Sequence, residues 1–149
     1  MIPCNERFEA HCLEWCDQRQ NISVEENKRK YLASNTQQNT FALYRIDGCV
    51  IKDGERCDFL LLKCEENGII AYFIELKGSD LTRALEQINA SIDKLLPKLK
   101  PHLAVHARIV LTKVNAPDIK GSDYIKLSKK IRQLGGTIKQ QVRLIEEKL

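Results

Sequence analysis

The sequence is short of most features that mark a special-purpose chain. Only 4 prolines and 7 glycines occur in 149 residues, which excludes collagen-like and low-complexity architectures. No run approaches the roughly 18 consecutive apolar residues that a membrane-spanning helix needs. The opening stretch MIPCNERFEAH has no basic segment leading into an apolar one, so a secretory signal is not expected; a soluble cytoplasmic protein with no membrane partner is. No Gly-rich loop opens a helix as a nucleotide cradle requires, since Gly135-Gly136 follows one instead. Helix-turn-helix, zinc-finger and RNA-recognition signatures are also missing. What is present is ordinary: 43% hydrophobic and 30% charged residues, enough for one domain spanning residues 1–149 with a real core.

Charge is unevenly spread. The first 93 residues carry 11 Lys+Arg against 16 Asp+Glu, and the remainder 13 against 4. The acidic part suits a metal site and the basic part a polyanion, although Lys126, Lys129, Lys130 and Arg132 would equally well solvate one helix. All six cysteines (Cys4, Cys12, Cys16, Cys49, Cys57, Cys64) fall in the first half. Without an export signal they are expected as free thiols acting as small buried apolar groups. Cys12 and Cys16 stand four apart beside His11, but no paired C-x-x-C knuckle accompanies them, so structural zinc is not expected.

Residues 5–19 read as a helix, with Phe8, Cys12, Trp15 and Cys16 at helical spacing. Ser23 to Glu26 has capping-box form and predicts a short helix to about Ala33. Three strand-like runs follow: Phe41–Ile51 with a bend at Asp47-Gly48, Cys57–Cys64, and Ile69–Lys77 opened by the turn dipeptide Asn67-Gly68. Gly78-Ser79-Asp80 stops the third strand and can cap a helix whose stripe is Leu81, Leu85, Ile88, Ile92 and Leu95. Arg108–Val114 is a short buried strand, residues 122–134 a basic helix stopped by Gly135-Gly136, and Thr137–Ile145 a last strand. The first three strands should form an antiparallel meander, and the helix that follows is long enough to bring Arg108–Val114 in parallel. The fold class is therefore α/β, a mixed sheet flanked by helices.

The anomaly is polar residues inside apolar strands: Asp58 in CDFLLLK, and Glu75 and Lys77 ending AYFIELK. Glu75 and Lys77 share a face by alternation. With Asn67-Gly68 as the two central turn residues, Asp58 falls opposite Lys77; with Cys64 paired to Ile69, it falls opposite Glu75. Both registers gather the three on one side, whereas a shift by one would send Asp58 across the sheet. Two carboxylates beside a lysine can hold Mg²⁺ or Mn²⁺ with water, lower that water's pKa and stabilise charge on a phosphoryl oxygen. A cross-strand salt bridge, Asp58–Lys77 or Glu75–Lys77, is the bland alternative.

The run Cys57-Asp58 … Ile74-Glu75-Leu76-Lys77-Gly78, followed by a helix carrying Gln87, resembles the PD-(D/E)XK nuclease superfamily over about residues 5–114. Size and element order are similar to Holliday-junction resolvases and small restriction-endonuclease-like proteins. The resemblance implies a restriction-endonuclease-like mixed sheet and a Mg²⁺- or Mn²⁺-dependent endonuclease acting on DNA. In it, Asp58 is the motif aspartate, Glu75 the second acidic ligand and Lys77 the motif lysine assisting the attacking water. The backbone carbonyl of Leu76 is a further metal ligand, and Gln87 matches a glutamine found after that lysine in some branches. Glu9 matches a first-helix glutamate on helical phase alone. Cys57 stands where the eponymous proline would be. No cysteine follows Cys64, which speaks against the branches that hold an iron–sulfur cluster through C-terminal cysteines. Lys94, Lys98, Lys100, Arg108, Lys113 and the cluster Lys126, Lys129, Lys130 and Arg132 would then contact nucleic-acid phosphates, and a two-fold homodimer is expected by analogy. A catalytically silent nuclease-like module that binds nucleic acid or a partner protein is the alternative.

Overall fold

The computed structural model describes residues 2–76, 80–113 and 121–149. Nine strands make two sheets. The larger has the order β1 (Leu13–Asp17), β4 (Thr40–Arg45), β5 (Phe59–Glu65), β6 (Gly68–Glu75), β7 (His102–Leu111) and β8 (Ile138–Val142). β1, β4, β5 and β6 are joined antiparallel in succession; β7 and β8 then add in parallel to β6. The crossover from β6 to β7 passes through α1 (Leu81–Leu95), and α2 (Ser122–Gln133) precedes β8. The smaller sheet is β2 (Asn21–Glu26), β3 (Arg29–Ser34) and β9 (Leu144–Lys148), with β9 parallel to β3.

Strand alternation splits the core in two. Leu60, Leu62, Ala71, Phe73, Val105, Ala107 and Ile109 face the stripe of α1 (Leu81, Leu85, Ile88, Ile92, Leu95) and Leu127 and Ile131 of α2. From the other side of the same strands, Phe41, Leu43, Leu61, Tyr72, Ile74 and Val110 meet Ile22, Val24, Tyr31, Ala33 and Ile145 of the small sheet. The layers are thus helices, large sheet, small sheet. The meander, the crossover helix, a parallel strand and α2 all appear in the expected order, but β4 stops at Arg45 instead of running to Ile51, and β7 starts at His102, six residues before the strand expected at Arg108–Val114. Among the described residues the sheet is flanked by helices on one face only.

The other face is covered because the N-terminal third is not helical. Residues 5–19 form two 3-10 turns (Cys4–Glu6, Ala10–Cys12) and then β1. Trp15 joins the core facing the small sheet while Cys16 joins the one facing the helices, the opposed pointing of a strand. Ser23 caps no helix either. Ile22 and Val24 in β2 and Tyr31 and Ala33 in β3 are buried at period two, and Asn27-Lys28 turns the hairpin with φ of 51° and 64°, the geometry of a type I′ turn. The last strand divides at Arg143 (φ 69°), so β8 and β9 enter different sheets. Four of the six cysteines are not free thiols: Cys4 bonds Cys64, and Cys12 bonds Cys49, tying the turns to β5 and to the β4–β5 loop. Cys16 and Cys57 remain reduced. Among the described residues no helix is long and apolar enough to cross a membrane.

Candidate functional site

The β5–β6 hairpin pairs Cys64 with Ile69 and Phe59 with Ile74, the second of the two registers considered. Asp58 and Glu75 lie one step beyond the last pair. There the ladder becomes irregular: the Asp58 N–H donates to the Ile74 carbonyl at 3.1 Å, and the Leu76 N–H donates to Asp58 Oδ2 at 2.7 Å. The aspartate is thereby held against the peptide that follows Glu75. Asp58 is 2% exposed and Glu75 is fully buried, Glu75 on the strand face that carries Ala71 and Phe73 towards α1.

Helix α1 fixes the segment before Asp58. Asp80 caps it, accepting the Arg83 N–H at 3.3 Å. Ser91 interrupts the apolar stripe because its hydroxyl accepts the Cys57 N–H at 2.7 Å while donating to the Gln87 carbonyl at 2.9 Å. Burial pushes the Cys57 thiol up; the Ser91 hydrogen bond opposes this, and the carboxylates of Glu75 and Asp58 push it further up. One buried thiol thus feels both acidic groups. A thiol so raised is no nucleophile, and Cys57 acts as core.

Beside this segment a cavity of about 360 Å³ is lined by Asp47, Arg56, Asp80, Arg83 and Gln87, among others. Its walls are bonded to the acidic segment. Asp47 N–H approaches the Asp58 carbonyl at 3.3 Å, and Gln87 reaches Cys57 through Ser91. Arg56 Nε lies 2.7 Å from Asp47 Oδ1. Asp47, Glu55 and Asp80 share this wall with two cations, Arg56 and Arg83, and neither cation stood out in the sequence. Arg56 adjoins Cys57, and Arg83 lies one turn before Gln87, but no spacing rule marks either.

The remaining candidates divide. Lys77 lies outside the described residues. The Leu76 carbonyl accepts from Arg29 Nε, whose guanidinium also reaches Thr112 Oγ1, so a cation already occupies the oxygen expected to ligate a metal. Glu9 is on no helix: it precedes the second 3-10 turn, is exposed, and lines a different cavity with Cys12 and Cys49. Arg108 is not a surface group; it is 2% exposed and paired with Glu147 at 2.7 Å. Its expected phosphate contact is replaced by a buried ion pair, because β7 points it at the small sheet. Lys126, Lys129 and Arg132 are exposed on α2, as are Lys98, Lys100 and Lys113 elsewhere. Lys94 leans on the carbonyls of Asp53 and Glu55, and Lys130 bridges α2 to Asn89 and Asp93 of α1.

No family model, curated protein or solved structure matches the chain.

Proposed function

We propose that the chain is a metal-dependent nuclease that hydrolyses phosphodiester bonds in DNA, built on a restriction-endonuclease-like arrangement of the β4–β5–β6 meander, α1 and β7. The observation that carries this reading is the pinning of Asp58 by the Leu76 N–H, which brings a buried aspartate to the fully buried Glu75. Two buried carboxylates on adjoining strand ends are hard oxygen donors of the kind Mg²⁺ or Mn²⁺ takes. The donor set fits Mg²⁺ or Mn²⁺ in Asp58 and Glu75; it does not fit in the Leu76 carbonyl, which Arg29 holds, nor in Glu9. When bound, the metal supplies a water of lowered pKa and an electrophile for the phosphoryl oxygen. Asp58 and Glu75 would orient it, and Gln87 and Arg83 line the cavity beside them. Lys77 is assigned the water-orienting role by resemblance alone. The exposed face of α2 (Lys126, Lys129, Arg132) would hold the backbone without reading bases.

The test is a panel of junction, flap, single-stranded, duplex and RNA substrates with Mg²⁺ or Mn²⁺. Asp58→Asn keeps an oxygen for the Leu76 N–H, so it should fold while losing cleavage. Lys77→Ala should lose about 10²–10⁴-fold in rate with DNA retention intact. No cleavage of any substrate, with no calorimetric Mg²⁺ or Mn²⁺ signal, would reject the enzyme in favour of a silent nucleic-acid-binding module, the reading that the Arg29 contact to Leu76 favours.

A further inference from the structure

Among the described residues, three metal-ligating side chains converge apart from Asp58 and Glu75: the donor atoms of His11, Cys12 and Cys49 all lie within 4.8 Å of one another. Cys12 and Cys49 are joined as a disulfide with Cα atoms 5.6 Å apart. Glu9 stands outside that group but beside one member of it, its Oε2 3.4 Å from His11 Nδ1. Glu9, Cys12 and Cys49 line one cavity of about 130 Å³, and Arg7 and Lys98 are on its wall. Arg7 is 8% exposed. Its Nη1 donates to the Lys100 carbonyl at 2.7 Å, while Nε and Nη2 have no hydrogen-bond partner among the described residues. A buried guanidinium with two idle donors calls for nearby negative charge. A disulfide is neutral; two thiolates are not.

We propose that reduction of the Cys12–Cys49 disulfide turns this corner into a Zn²⁺ site with Cys12, Cys49 and His11 as its protein ligands, a water as the fourth, and Glu9 orienting the His11 ring. A dithiol reductant supplies two electrons and two protons and leaves as its own disulfide, and the Cys12–Cys49 bond becomes two thiols. Binding of Zn²⁺ then releases both thiol protons. Tetrahedral zinc at about 2.3 Å from sulfur and about 2.0–2.1 Å from nitrogen sets its ligand atoms about 3.5–3.8 Å apart. The two sulfurs must therefore separate, while the His11 donor already lies within 4.8 Å of both. Two thiolates neutralise the zinc charge, and the Glu9 carboxylate beside the site shares a cavity wall with Arg7 and Lys98. The consequence is an N-terminal segment held to the β4–β5 loop by a covalent bond in oxidising surroundings and by metal in reducing ones. This site is independent of the nuclease reading.

The test uses the full chain, reduced with excess dithiothreitol, freed of it anaerobically and titrated with Zn²⁺, then with Co²⁺ as a spectroscopic probe. The reduced chain should take up one equivalent of Zn²⁺, the oxidised chain none, and Co²⁺ should give tetrahedral d–d bands with thiolate charge transfer. His11→Ala, an exposed position, should weaken uptake at least about tenfold, the loss that even a ligand's outer partner causes. Cys12→Ser/Cys49→Ser should abolish uptake; should that chain not fold, His11→Ala alone decides. Equal uptake by oxidised and reduced chains, no uptake by the reduced chain, or wild-type affinity in His11→Ala would overturn the proposal.

Discussion

Arg108→Met separates two roles for one cation, a phosphate contact or a strut between layers. The side chain of Arg108 is 3% exposed and that of Glu147 8%. Nε and Nη2 engage the two carboxylate oxygens at 2.7 and 3.2 Å, a forked contact stronger than a point charge makes. Nη1 also donates to the carbonyls of Ala107 and Thr137. Glu147 further accepts the Tyr31 hydroxyl at 2.8 Å and Lys139 Nζ at 3.1 Å. Burial raises the Glu147 pKa, yet the hydrogen bond and charge of Arg108, with help from Tyr31 and Lys139, hold it below the ordinary value. Removing one partner of a buried pair costs about 3–5 kcal/mol. Lys139, half exposed, stays beside Glu147, which places the expectation near the lower end, about 3 kcal/mol. At this chain length each kcal/mol moves the melting midpoint by about 2–4 °C, so a fall of about 6–12 °C is expected. Arg108→Met/Glu147→Leu should recover most of it, since an apolar pair can replace a buried ionic one. Denaturant unfolding read by circular dichroism gives the free energy, and DNA retention against salt is measured in parallel. A phosphate contact would instead leave stability alone and lower the salt slope by about one. Loss of less than about 0.5 kcal/mol, within the range of ordinary surface changes, would refute the strut.

Three further outcomes are expected. The His106 imidazole, stacked on Tyr72 at 4.6 Å, is pushed down to about 4, first by burial and then by the Arg108 charge. Between about pH 6.5 and 4 the unfolded chain then binds more protons than the folded one, so stability should fall as pH drops through that window; a His106→Phe chain with the same slope there would contradict this. An added Cβ at Gly136 would lie 1.7 Å from the Val105 carbonyl oxygen, so Gly136→Ala should cost about 1–3 kcal/mol, and an unchanged denaturant midpoint would rule out the close approach. The Cys4–Cys64 bond spans a sequence separation of 60, so Cys4→Ser should lose about 4 kcal/mol on the chain-entropy account, read as a midpoint difference that vanishes when both proteins are reduced.

What the sequence made legible was whatever local pattern decides. β4, β5 and β6 are apolar runs bounded by turn residues, and α1 has both a cap and a stripe, so the meander, the crossover and the strand parity of Asp58 and Glu75 were within reach, while two registers stayed open until the structure paired Phe59 with Ile74. The N-terminal third was not, because two local signals misled. Ser23 to Glu26 has the form of a helix cap, and the charges from Glu25 to Lys30 hide the period-two burial of Ile22, Val24, Tyr31 and Ala33. What decides those strands is β9, which pairs Tyr31 with Ile145 from the far end of the chain, a contact no window sees. The disulfides are similar: separations of 60 and 37 residues leave pairing undetermined from spacing. The Leu76 carbonyl was assigned to metal without sight of Arg29, 47 residues away.

Arg108 was misplaced for a different reason, and here the sequence did contain the correction. A cation is by default a surface group, and RIVLTKV lies in the basic half, so a phosphate contact seemed natural. Yet the same run was read as a buried strand, and a charge inside a buried strand must find an opposite one. From Lys94 onward only Asp118, Asp123, Glu146 and Glu147 are acidic. Asp123 opens a helix, where its charge serves the first turn. Glu146 and Glu147 lie just past the strand read from the sequence; β9 extends through them to Lys148, and alternation turns Glu147 inward. Applied to the whole molecule, the rule that buried charge requires a partner identifies both the strut at Arg108 and the idle guanidinium of Arg7. The first finds its carboxylate in the folded chain; the second lacks one among the described residues, and two thiolates at Cys12 and Cys49 would supply that charge without moving the backbone far.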